Sequence, residues 1–272
     1  MAEQARQAGA LRTLAYCYSY IGTIEYLQGK FKDALDNLLR SAALYREIKA
    51  PSGEAMVLQR LGVVRTATGD WDQALSDLHR ALDIARGYIL QGHSMVRVYA
   101  TLARNRLEAG DYRAALDYAK HGLAIEEQQG SCLICGVLLY PAAAMAYGMN
   151  GDIKEGRRFA TLARNSALEY GSKFFLGLAS QSTAMIEGMA GCWDEAFQAI
   201  DLAEEAFSAI PQSYEVARTR FIRAYLLLQR HAGQDLALAR EELQRAEPVF
   251  VELGAAASAA RAQTLLLQLS PP

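Results

Sequence analysis

The sequence predicts an all-α fold, a solenoid of about six antiparallel helix hairpins with a C-terminal capping helix, and three observations carry that prediction. First, a short pattern of glycine, polar residue, bulky apolar residue, two polar residues and small residue keeps returning. Gly29-Lys30-Phe31 with Ala34, Gly69-Asp70-Trp71 with Ala74, Gly110-Asp111-Tyr112 with Ala115, Gly151-Asp152-Ile153 with Gly156, and Gly191-Cys192-Trp193 with Ala196 are five copies, their glycines 40, 41, 41 and 40 residues apart. Gln234-Asp235-Leu236 with Ala239 is a weaker sixth. Second, the apolar residues between copies fall at helical rather than alternating spacing. Third, small residues recur where paired helices must cross: Gly22, Gly62, Ala103, Ala144 and Ala184 on the first helix, Ser41, Ala81, Gly122, Ala163 and Ala203 on the second. A large side chain there would force the axes apart.

In chain order, the first hairpin reads 12–28 with 31–48, and the next three 52–68 with 71–87, 93–109 with 112–129, and 134–149 with 152–170. Two more follow at 173–190 with 193–208 and 213–230 with 235–252. Each first helix ends at its glycine because the residue after a helix often needs a left-handed backbone. Phe31, Trp71, Tyr112 and Trp193 open the second helices and read as plugs of the hairpin core. Ala255 to Leu269 reads as a cap, with Leu265, Leu266, Leu267 and Leu269 available to cover the last hairpin, and Ser270-Pro271-Pro272 stops it. No linker divides the chain, which reads as one domain over 1–272 with repeats at 12–50, 51–91, 92–130, 131–171, 172–211 and 212–253 and the cap at 255–269.

Composition narrows the function classes. The chain is 51% hydrophobic, but no apolar run approaches the roughly 18 residues of a membrane span. Residues 1–6 show neither an apolar core nor a small-residue cleavage site, so no secretory signal is read and the cytoplasm is the expected compartment. The start, a helix with little ahead of it, is what an excised domain of a longer protein would show. Net charge is −2 from 28 basic and 30 acidic residues, with no run of five like charges, which argues against direct nucleic-acid binding. Four cysteines in 272 residues make no disulfide framework.

The repeats resemble the tetratricopeptide repeat family, through Tyr18, Ile21, Gly22, Gly29, Phe31, Ala34, Leu38 and Ser41, and again through Leu58, Leu61, Gly62, Gly69, Trp71, Ala74, Leu78 and Ala81. The resemblance implies a right-handed superhelix whose first helices line a concave groove. Glu25, Arg65, Arg106 and Glu187 stand where that family commonly has tyrosine, and the period is near 40 rather than 34. The longer period is similar to that of kinesin light chains, polarity adaptors, and the sensor arrays of large bacterial LuxR-type ATP-binding regulators and other signalling ATPases. The Ala-, Leu- and Arg-rich hairpins and the segment Ser131-Cys132-Leu133-Ile134-Cys135 before Tyr140-Pro141 look closest to the bacterial regulators.

No phosphate loop, His-Glu-x-x-His or Gly-x-Ser-x-Gly elbow is present, so the reading is non-catalytic, without cofactor and without a metal site. His79, His93, His121 and His231 follow no ligand spacing. Cys132 and Cys135 form a C-x-x-C pair that can be structural, redox-active or metal-binding, and a metal would need two more ligands, His121 being one conceivable. Cys17 and Cys192 read as small packing residues. Stacking of successive repeats would set Glu25 beside Arg65, and Glu187 with Arg230 likewise.

The candidate ligand residues lie on the concave wall: Tyr16, Tyr20, Tyr26, Gln59, Arg60, Arg97, Thr101, Arg104, Met145, Gln181, Met185 and Tyr225. Aromatic rings supply area, arginine orients a carboxylate and methionine adapts, which suits a peptide, a protein segment or a small amphipathic effector. Ser19 and Thr23 stand where chaperone-tail binders of the family use Lys and Asn, which disfavours that role. Expected partners are therefore a protein or peptide, or a small-molecule effector, with neither nucleic acid nor membrane. The rival class is a structural scaffold that self-associates, for instance as a homodimer.

Overall fold

The computed structural model describes Met1, Glu3, Arg6 and residues 9–87, 91–130 and 132–269. The expectations for Ser131 and for Ser270 to Pro272, and part of that for residues 1–6, lie outside the described residues. Within them the chain forms helices and no strands. The helices are α1 (Leu11–Leu27), α2 (Phe31–Glu47), α3 (Pro51–Thr68), α4 (Trp71–Ala85), α5 (Gln91–Ala109), α6 (Tyr112–Gln129), α7 (Leu133–Met149), α8 (Ile153–Tyr170), α9 (Lys173–Met189), α10 (Trp193–Ser208), α11 (Ser213–Arg230), α12 (Asp235–Glu252) and α13 (Ala256–Gln268). Consecutive helices from α1 to α12 pair as six hairpins, and the odd-numbered helices of successive hairpins pack side by side.

Local chemistry explains the punctuation. Gly69 ends α3 at φ +92°, a left-handed conformation that would strain any side chain, and the other four strong copies place glycine likewise. The sixth copy lacks that glycine, and His231 takes the left-handed turn at φ +51° instead. Asp111 and Asp152 cap α6 and α8, each accepting a backbone N–H at 3.1 Å. Crossing points are tight as expected: a Cβ on Gly62 would come within 2.6 Å of Leu78, and Ser41 Oγ donates to the Ala15 carbonyl at 2.6 Å.

Two electrostatic expectations are corrected. Glu25 does not reach Arg65, and Glu187 does not reach Arg230. Instead each residue at the end of a first helix pairs within its own hairpin or with a neighbouring one: Glu25 accepts from Asn37, Arg65 binds Asp77, Arg157 binds Glu187 at 2.5 Å, and Arg230 binds Asp235 at 2.6 Å. The antiparallel turn sets residues 12 apart opposite each other, so Glu25 meets Asn37 and Arg65 meets Asp77 before the next repeat comes within reach.

The array also does not end as an open solenoid. Residues of α1–α5 and α11–α13 belong to one hydrophobic core. Phe31 packs edge-on to Tyr214 with ring centres 5.4 Å apart, Gln212 Nε2 donates to the Leu27 carbonyl at 2.6 Å, and Leu253 covers Gly29. Helix α13 packs on α12 as a cap should, but it also lies against α3: Ala257 abuts Gly69, and the Arg261 guanidinium sits 5.0 Å from the Trp71 ring centre. One tight superhelical turn thus closes on itself, and the concave groove becomes a cavity.

A candidate ligand cavity on the concave face

The turn surrounds a half-open cavity of about 730 Å³ between the first helices of the hairpins, within the range of small-ligand sites. Its walls are largely apolar, contributed by residues such as Val63, Leu138, Phe174, Phe175 and Ile222. Of the candidate residues, Tyr26, Gln59, Arg60, Arg97, Thr101, Arg104, Met145 and Gln181 line it. Met185 and Tyr225 instead line a second cavity of about 160 Å³, which Met145 borders as well. Tyr16 and Tyr20 line neither; they form an exposed ring pair with centres 4.4 Å apart.

Hydrogen bonding sorts these groups by what they have left to give. Gln59 donates to Thr101 Oγ1 at 2.7 Å, Asn105 to Thr66 at 3.1 Å, and Gln181 to Thr219 at 2.8 Å. These are rungs between successive first helices, buried and satisfied, and their job is to fix the wall. Arg104 is likewise committed, donating to the fully buried Glu215 at 2.5 Å, and Arg218 pairs with Glu108 at 2.8 Å. Burial disfavours both of these guanidinium charges, yet the neighbouring carboxylates outweigh it and raise each pKa.

Arg60 and Arg97 are different. Among the described residues neither sits in an ion pair of the kind that holds Arg104 and Arg218. Arg60 reaches the Ser19 hydroxyl and lies over the Tyr20 ring at 4.6 Å, while Arg97 Nε is buried without any hydrogen-bond partner. Burial pushes the Arg60 pKa down, and the nearby Arg97 charge pushes the same way. Both arginines line the same largely apolar wall. Tyr26, buried near Arg104 and Glu215 instead, has its phenol pushed up to about 12 by desolvation.

The tetratricopeptide repeat family model matches residues 53–128, the second and third hairpins. Residues 53–128 carry tetratricopeptide repeats. No curated protein sequence matches it. Among solved structures, the tetratricopeptide array is similar to a Rap protein complexed with Competence and Sporulation Factor, with 19% identity and a TM-score of 0.64 over 94% of this chain and 74% of that one. It is also similar to the apo form of RapI, with 13% identity and a TM-score of 0.60 over 94% and 97% of the two chains. A signal transduction ATPase with numerous domains and a tetratricopeptide repeat sensor, from Pyrococcus horikoshii, aligns at 15% identity and a TM-score of 0.56 over 94% of this chain and 42% of that protein. Identities this low establish the shared fold. Among the described residues, no helix is long and apolar enough to cross a membrane.

Several residues at the tetratricopeptide cavity escape a reading of the sequence. Phe174 and Phe175 at the start of α9, and Gln212, Glu215 and Arg218 around the start of α11, lie at the closure. Repeat periodicity selects Tyr225 on α11, because it assumes an open groove. The return of α11 onto α1 and α5 turns the Arg218 and Ile222 face inward instead. The conceivable thiol partner His121 is also displaced: it stacks on Tyr99 at 5.5 Å, and His93 is the imidazole that meets the cysteine pair.

Proposed function

We propose that this tetratricopeptide array is a non-catalytic binding or sensing module that takes an anionic, amphipathic ligand into its central cavity. The ligand is a peptide or protein segment with a free carboxylate, or a small effector of the same character. The observation that carries this reading is the pair Arg60 and Arg97, two cations on one largely apolar wall and outside ion pairs of the kind that holds Arg104 and Arg218. Apolar area supplies affinity and the guanidinium pair supplies orientation. The similar Rap structure is a complex with a named factor, and the similar Pyrococcus protein carries its repeats as a sensor, which supports the same role for this chain. We assign it to the sensor portion of a larger bacterial transcriptional regulator or signalling ATPase, acting in the cytoplasm.

A fluorescent anionic amphiphile, 8-anilinonaphthalene-1-sulfonate, tests the site without knowledge of the natural ligand. It should bind saturably, and R60A/R97A should weaken it at least about tenfold, since each charge-assisted hydrogen bond is worth about 1.5–3 kcal/mol. Undiminished binding by a folded double variant contradicts the assignment. The scaffold reading keeps one supporting feature, the exposed apolar side chains Leu39, Leu168, Leu202 and Leu238 on the outer helices. A dimer in light scattering that survives R60A/R97A would favour it.

A further inference from the structure

The N-termini of α5 and α7 lie side by side and bring together three soft ligands from distant positions. His93 is the third residue of α5, Cys132 immediately precedes α7, and Cys135 is its third residue. One ligand atom of each lies within 4.8 Å of the other two, and Cys135 Sγ is 3.5 Å from His93 Nδ1. A tetrahedral zinc ion with Zn–S of about 2.3 Å and Zn–N of about 2.0 Å sets sulfur and nitrogen about 3.5 Å apart, so this edge already has coordination geometry. His93 is exposed and Cys132 half-buried, which leaves an entry path, while Cys135 is buried.

The support around the cluster also fits. Glu126 accepts the Tyr140 hydroxyl at 2.9 Å, which ties α7, the helix that carries Cys135, to α6. Both cysteines sit at the N-terminal end of α7, on the side that faces the start of α5. Among the described residues Cys17 and Cys192 join no such cluster: the first is buried in the core, and the second contacts Arg157.

From this geometry we infer that His93, Cys132 and Cys135 form a zinc site of the two-thiolate, one-imidazole kind, with a fourth position left for water or an incoming ligand atom. Binding deprotonates both thiols and releases their protons to solvent. The site borders the central cavity, since Ile134, between the cysteines, and Arg97, one helical turn beyond His93, both line it. It stands independently of what the cavity binds.

Cobalt substitution on the full chain, reduced and freed of metal, tests the inference. One equivalent of Co²⁺ should produce thiolate charge-transfer absorption and the intense visible bands of tetrahedral cobalt, and Zn²⁺ should displace it. C132S/C135S should abolish both signals, whereas C17S/C192S should keep them. H93A removes an exposed side chain and should fold normally. Loss of an outer-shell partner already costs about 10–100-fold, so this ligand should cost at least about a hundredfold in Zn²⁺ affinity. No one-equivalent uptake by the reduced protein, full uptake by folded C132S/C135S, or unchanged affinity in H93A would each overturn the site, as would a chain whose thiols form a disulfide and bind no metal after reduction.

Discussion

Arg104 on α5 and Glu215 on α11 are 111 residues apart in sequence and joined by a 2.5 Å hydrogen bond. Glu215 is fully buried, and its other cation, Arg218, stands at 3.6 Å. The pair ties the third hairpin to the sixth, so it reports on closure of the superhelical turn rather than on any one repeat. Removing one partner of a buried ion pair costs about 3–5 kcal/mol, and Arg218 at 3.6 Å replaces only part of the 2.5 Å bond that Glu215 would lose. R104M should therefore lower stability by about that amount in urea unfolding, and R104M/E215M should recover most of it. A loss of under about 1 kcal/mol in R104M would mean that the closure is not held this way.

Glu108 gives closure a pH dependence. Burial pushes its carboxyl pKa up, but Arg218, Arg104 and Arg261 outweigh burial and hold it below the ordinary value. A carboxyl with a lowered folded pKa stabilises the fold fully above its unfolded pKa of about 4.3 and loses that contribution as pH falls through the folded value. The melting temperature should thus fall on acidification below about 4.3, and E108Q should be less stable at neutral pH with a flatter acid limb. Parallel acid limbs for the two proteins would rule this out.

Two turn glycines separate backbone strain from closure. Gly69 and Gly110 have similar φ values, +92° and +82°, but a Cβ on Gly69 would meet Ala257 at 2.5 Å, whereas one on Gly110 would meet nothing within 4 Å. Gly110→Ala should cost about 1 kcal/mol, the left-handed penalty alone. Gly69→Ala should cost about 1–3 kcal/mol more, because α13 must move off α3. Equal losses in equilibrium unfolding would mean that α13 does not dock there in solution.

These contacts also mark where the sequence stops being informative. Helical spacing and the Gly29, Gly69, Gly110, Gly151 and Gly191 turns are local, so α11 and α12 fall at 213–230 and 235–252 as read from the chain alone. Closure is non-local. Nothing near Arg104 marks Glu215 as its partner, and nothing near Cys132 marks His93. The groove residues suffer from the same gap, because the count that places Arg60 and Arg97 on the cavity wall also selects Tyr16 and Tyr20, which stay outside it. Gln59, Thr101 and Gln181 look like ligand donors in sequence, yet they use their hydrogen bonds on neighbouring helices.

The most direct test is native mass spectrometry of the purified chain after exposure to the peptide and small-molecule fraction of a bacterial extract, beside R60A/R97A treated identically. The account predicts a discrete acidic adduct on the wild-type chain that a folded R60A/R97A does not retain. An adduct held equally by both proteins, or a wild-type chain that captures nothing from either fraction, would contradict a cavity organised around those two arginines.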